Sequence, residues 1–213
     1  MKYEQHKSRI LPDIAEYYSA KIDQYGETPS GVDWNGFDSQ MLRFTELIRV
    51  IEGSQPFSLN DIGCGYGALV EVLLKDFESF TYRGNDISEK MVVAAQQRYQ
   101  ENSNIEFIVS HKPDKISDYA IARGIFNVRV ENTDKEWCRH VYDTLAIMHE
   151  TSSRGFSFNC LTKYSDAEKM MDYLFYADPC ALFDYCKRNF SKQVALLHDY
   201  GLYEFTIVVR KEY

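Results

Sequence analysis

A chain of 213 residues is long enough for one domain with a sizeable core, and 45% hydrophobic with 26% charged residues are ordinary proportions for a globular protein. A formal charge of −8 argues against a phosphate-backbone binder, which needs clustered Lys and Arg, so small molecules and not nucleic acid are the expected partners. No run approaches the roughly 18 apolar residues of a membrane span, and the opening MKYEQHKSRILPD lacks the apolar core of a secretory signal, so no membrane association and a cytoplasmic location are expected.

The five cysteines, Cys64, Cys138, Cys160, Cys180 and Cys186, are scattered and never spaced Cys-x-x-Cys; they read as reduced thiols, without disulfide or metal. Residues 14–21 have the look of a helix, and the following GETPSGVDWNG predicts an ordered but irregular stretch. Tyr17 and Lys21 share the spacing of the catalytic pair in short-chain dehydrogenases. In that family the pair follows the glycine turn, and here it precedes it, so the spacing is read as coincidence. A longer helix is predicted over 38–52, where Leu42, Thr45, Leu47, Ile48 and Ile51 recur near the helical period before Gly53 and Pro56.

Residues 57–62 read as a buried strand that runs into Gly63, Gly65 and Gly67, and a helix with a broad apolar face starts at Ala68. Glycine suits such a turn because a Cβ would penalise its backbone angles and hold a ligand away from the main chain. Two patterns fit. Gly63, Gly65 and Ala68 satisfy the G-x-G-x-x-G/A fingerprint of dinucleotide-binding folds, and Asp61, Gly63, Gly65 and Gly67 satisfy D-x-G-x-G-x-G. The carboxylate in the second repels a phosphate and attracts an ammonium group, which favours a cationic cofactor.

With Asp61-x-Gly63-x-Gly65-x-Gly67, and with Asp86 nineteen positions beyond Gly67 at the end of YRGND, the chain resembles the class I S-adenosylmethionine-dependent methyltransferases. The resemblance implies that Asp86 binds the ribose hydroxyls. It implies a cofactor site drawn from Asp61, Gly63, Cys64, Gly65 and Gly67 at the turn, Asp86, Ile87 and Met91 after strand two, and Arg123 at strand four. The family often carries an Asp after strand three; here Ser110 stands in that place and is expected to reach the adenine through its hydroxyl or backbone. Arg43, with Gln40 on the preceding helix, is the group expected to grip the carboxylate of the methionine moiety.

A helix over 88–101, a strand over 105–109 and a fourth strand over 119–125 come next. Thr133 and Glu136 form a capping box that opens a helix carrying Trp137, Val141, Leu145 and Met148 on one side. A fifth strand is expected over 155–161. A second capping box, Ser165 with Glu168, is expected to start another helix, and Pro179 a further one. Strands over 194–198 and 205–209 close the chain as a hairpin. His198, followed by Asp199, is the candidate general base. His111, His140 and His149 show no metal-ligand spacing, so no metal is expected.

The fold class expected is α/β: a doubly wound, mostly parallel seven-stranded sheet with an antiparallel C-terminal hairpin, residues 57–213 forming the core and residues 1–56 a helical lid in a single domain. The function expected is methyl transfer from S-adenosylmethionine, released as S-adenosylhomocysteine, to an oxygen or nitrogen of a small molecule. A nicotinamide-dependent oxidoreductase and a non-catalytic S-adenosylmethionine-binding module are the rival readings.

Overall fold

The computed structural model describes residues 2–34 and 36–211, with side chains from Ile10 onward. Asn35, inside the stretch expected to be irregular, lies outside the described residues. Seven strands form one sheet in the order β3-β2-β1-β4-β5-β7-β6. They are β1 (Phe57–Ile62), β2 (Phe80–Asp86), β3 (Ile105–Val109), β4 (Ser117–Ala122), β5 (Ser152–Leu161), β6 (Gln193–Leu197) and β7 (Glu204–Arg210). The first five pair in parallel, and β7 runs antiparallel to both β5 and β6. This is the expected sheet with its closing hairpin.

Among the described residues six α-helices cover it: α1 (Lys2–Tyr25), α2 (Phe37–Ile48), α3 (Leu69–Asp76), α4 (Glu89–Arg98), α5 (Asp134–Glu150) and α6 (Pro179–Asn189). Both faces of the sheet are therefore buried, and the central strands read as near-continuous runs: in β1 every residue but Ser58 is buried. Leu47 of α2, Leu69 of α3 and Val92 of α4 pack on one face. Ile10 and Ile14 of α1, Trp137 and Leu145 of α5, and Leu182 of α6 pack on the other. The polar residues of β1 are held by specific partners; Asn60 Nδ2 donates to the carbonyls of Lys115 (2.9 Å) and Thr151 (3.0 Å).

Four expectations are corrected. Helix α1 extends well beyond 14–21 in both directions and carries Pro12 within it. Helix α2 stops at Ile48, four residues before the expected end. Strand β4 ends at Ala122, because Gly124 turns the chain at a φ of 72° and gives its amide to Asn159 Oδ1 (2.9 Å). Ser165 and Glu168 do not open an α-helix: they lead only into one 3-10 turn, Ala167–Lys169, and the Ser165 hydroxyl donates to Thr162 O (2.7 Å). Thr133 and Glu136 do form a full capping box at the start of α5. Among the described residues no helix is long and apolar enough to cross a membrane, and no cluster of His, Cys, Asp and Glu is spaced to hold a metal ion.

Candidate functional site

The chain leaves β1 toward β2 on one side and β4 toward β5 on the other, so the crevice between the C-terminal ends of β1 and β4 is the switch point at which open α/β sheets bind ligands. A cleft of about 770 Å³ opens there, lined by Gly63 and Gly65 after β1, Asp86 and Ile87 after β2, Ser110 and His111 after β3, and Arg123, Gly124 and Ile125 after β4. Leu11, Ile14 and Tyr18 of α1 cover it, with Val32 and Trp34 from the segment leading to α2; His140 and Thr144 of α5 complete the wall.

Asp86 ends β2 and is 8% exposed. Its Oδ2 accepts the amide of Gly65 (2.8 Å) and its Oδ1 the amide of Ser88 (2.8 Å), which locks the carboxylate onto the glycine turn. Burial raises its pKa above the usual aspartate value, with the two amides and Arg123 pulling the other way. Ser88 caps α4 and shares a 2.8 Å hydrogen bond with Ser19 of α1, so the lid and the carboxylate are fixed through one residue.

At the turn, Gly63 and Gly65 have φ of 73° and 54°, and a Cβ on either would run into Ile125 or crowd Val32, both cleft residues. A Cβ on Gly67 would instead meet Phe107 and Tyr99 in the core.

Beneath the turn lies a buried charge pair. Asp61 Oδ2 accepts the Tyr82 hydroxyl (2.6 Å) and Arg123 Nε (3.3 Å), Arg123 Nη2 donates to Cys64 O, and the guanidinium stacks 5.0 Å from the Phe44 ring. Burial pushes the Tyr82 phenol well up, so it stays protonated and donates.

A family described as methyltransferase domain matches residues 60–147. A Mycobacterium tuberculosis protein named as a methyltransferase, Rv1506c, is 56% identical over 164 residues, which cover 77% of this chain and 99% of that one. The chain belongs to the class I S-adenosylmethionine-dependent methyltransferases. Solved structures agree on the fold. The magnesium protoporphyrin IX methyltransferase of Synechocystis PCC 6803 has a TM-score of 0.67 at 16% identity, covering 95% of this chain and 97% of that one. The N-methyltransferase NodS of Bradyrhizobium japonicum has a TM-score of 0.64 at 15% identity, covering 96% and 100%.

Of the residues singled out from the sequence, the methyltransferase brings Gly63, Gly65, Asp86, Ile87, Met91, Ser110 and Arg123 to one cleft. Five others stand elsewhere. Asp61 is fully buried beneath the turn, and the cation it draws is Arg123 of the chain itself. Cys64 is buried in the core, and Gly67 serves packing. Arg43 is committed to Glu204, donating from Nε at 2.9 Å to both oxygens and from Nη2 at 2.6 Å, with Trp34 stacked 4.8 Å away. His198 is exposed past the end of β6, three strand spacings or ~14 Å from β4, and packs on Tyr164 and Phe205.

The hydroxyl of Ser110 is also engaged, donating to Lys112 O (2.7 Å), and its amide donates to Asp86 O (2.9 Å). Tyr17 and Lys21 both bind Asp33, at 2.8 and 2.6 Å, which gives their spacing a structural purpose.

The lid residues were missed in the sequence, although Leu11, Ile14 and Tyr18 recur at the i, i+3, i+7 spacing of one helix face. Trp34, His140 and Thr144 carry no local signal, because only long-range packing brings them to the cleft.

Proposed function

We propose that this methyltransferase binds S-adenosylmethionine across the C-terminal ends of β1, β2 and β4 and methylates an oxygen or nitrogen of a small molecule. The observation that carries the reading is Asp86: a nearly buried carboxylate whose two amide bonds leave further lone pairs for vicinal hydroxyls, beside glycines that keep the floor of the cleft free of side chains.

The residues present fit the cofactor. Asp86 would take the ribose hydroxyls, and Ile87 and Met91 would give the adenine an apolar surface beside Ser110. When bound, S-adenosylmethionine supplies an electrophilic methyl group on a sulfonium and departs as S-adenosylhomocysteine.

The chain's own part is alignment and exclusion of water. Leu11, Ile14 and Tyr18 roof the cleft, and the Ser19–Ser88 bond fixes that roof to the nucleoside side. A hydroxyl or amine acceptor would shed a proton on methylation, and that proton needs a receiver in the cleft. His111 and His140, the imidazoles of the lining, take the part that His198 is too distant to play.

The test is calorimetry followed by a labelled transfer. S-adenosylmethionine and S-adenosylhomocysteine are expected to bind one per chain and NADH not at all, and a small-molecule extract given deuteriomethyl-labelled cofactor is expected to yield a product bearing that methyl. Binding of NADH in place of the sulfonium nucleoside would overturn the reading.

A further inference from the structure

The fold treats its two tryptophans differently. Trp137 is fully buried, and its indole Nε1 donates to Phe126 O (2.7 Å). Trp34 is only 7% exposed and lines the cleft, yet its Nε1 has no acceptor among the described residues. A buried indole N–H ordinarily finds an acceptor, because leaving that bond unmade is costly.

Trp34 is held firmly all the same. Its amide donates to Pro29 O (2.9 Å), and Asp33 before it takes a left-handed φ of 61° and is bound by Tyr17 (2.8 Å) and Lys21 (2.6 Å) of α1. The ring packs against Phe44 (5.6 Å) and the Arg43 guanidinium (4.8 Å). Its N–H edge is turned to Gly124, where a Cβ would stand 3.1 Å from Nε1, so glycine at that position leaves the edge open to the cleft that both residues line.

An indole nitrogen only donates, so its partner is an accepting oxygen. The surroundings favour an anionic one. Arg43, bound to Glu204, keeps Nη1 buried without a partner, and the Arg123 guanidinium lies 5.9 Å from the ring. The carboxylate of the lining, Asp86, stands at the end of β2, with β1 between it and β4.

We propose that Trp34 grips a carboxylate, its indole N–H donating to a carboxylate oxygen of the ligand at the β4 end of the cleft. The assignment rests on the cofactor reading above and supplies a contact which that reading leaves open. Two molecules bring a carboxylate to this place, the methionine end of the cofactor and an acidic acceptor, and the test separates them.

The full chain and Trp34→Phe, which keeps an aromatic ring against Phe44 and Arg43 but removes the N–H, are titrated by calorimetry with S-adenosylhomocysteine and with methylthioadenosine, a nucleoside thioether lacking the amino acid. A cofactor carboxylate predicts at least a fivefold loss for S-adenosylhomocysteine and less than a twofold change for methylthioadenosine. An acceptor carboxylate predicts both within twofold; in the chain saturated with S-adenosylhomocysteine, small carboxylic acids then lose at least fivefold in ligand-observed NMR, and their amides do not. With nitrogen-15-labelled tryptophan, the indole resonance of Trp34 is expected to move when the carboxylate ligand binds while that of Trp137 stays, which reads the contact without any substitution. The proposal is overturned if both nucleosides weaken alike, as a lost packing contact would cause, if no carboxylate ligand distinguishes Trp34→Phe from the unmodified chain, or if the Trp34 indole resonance stays in place. Failure of the unmodified chain to bind either nucleoside would instead sink the cofactor reading, and this contact with it.

Discussion

Asp86 is held by two amides yet buried enough that its pKa is raised, and this combination gives a pH signature. In the free protein the carboxylate takes up a proton at a higher pH than an exposed aspartate does, and a protonated carboxyl loses acceptor capacity. Affinity for S-adenosylhomocysteine is therefore expected to be full above that raised pKa and to fall as pH drops through it. Stability runs the other way: the folded state binds this proton more tightly than the unfolded one, so the contribution of Asp86 to stability declines as pH rises from the unfolded to the folded pKa. Asp86→Asn is expected to flatten both trends, as calorimetry and urea unfolding between about pH 4 and 7 would show; a wild-type pH dependence surviving in the variant contradicts the assignment. Asp86, Gly63 and Gly65 were legible in the sequence because the features that define them are local: a strand end, a turn and a fixed separation. Arg43 and His198 were expected at the cleft from equally local features, and the structure places both elsewhere. Arg43 meets Glu204 across 161 positions, and β6 carries His198 to the sheet edge, neither of which any local window reveals.

Two sequences that look alike as helix openings differ as elements. Thr133 accepts the amide of Glu136 and Glu136 answers the Thr133 amide at 3.0 Å, starting a seventeen-residue helix; Ser165 bonds back to Thr162 in a turn. Thr133→Ala is expected to cost about 1 kcal/mol of stability, and Ser165→Ala no more than ~0.5 kcal/mol, both measured by urea unfolding; equal losses would contradict the distinction. The difference lies in the residues beyond each cap: Trp137, Val141, Leu145 and Met148 give α5 a buried stripe, whereas residues 167–170 are exposed with nothing to bury. The apolar period of the strands and of α5 made the sheet readable. The true length of α1 was not readable, because its polar turns are held by long-range contacts such as that of Asp23 with Lys90 on α4.

Across the whole molecule, one buried chain of polar contacts links α2 to the sheet and to the cleft wall. Arg43 of α2 binds Glu204 at the start of β7, Asn159 of β5 donates to Glu204, and Asn159 Oδ1 receives the amide of Gly124 in the cleft wall. Removing one partner leaves a charge buried without its mate, so Glu204→Gln is expected to cost about 3 kcal/mol or more, and Arg43→Met with Glu204→Met far less than the sum of the single changes. Urea unfolding of the four chains gives that coupling, and additivity within ~0.5 kcal/mol would contradict a shared network.

That Asp86 and the glycine turn jointly hold a sulfonium nucleoside is tested most directly by titrating S-adenosylhomocysteine into the unmodified chain, Asp86→Ala and His198→Ala by calorimetry. One site per chain is expected, with at least a tenfold loss of affinity in Asp86→Ala and no change in His198→Ala. Undiminished binding by Asp86→Ala would contradict the shared grip.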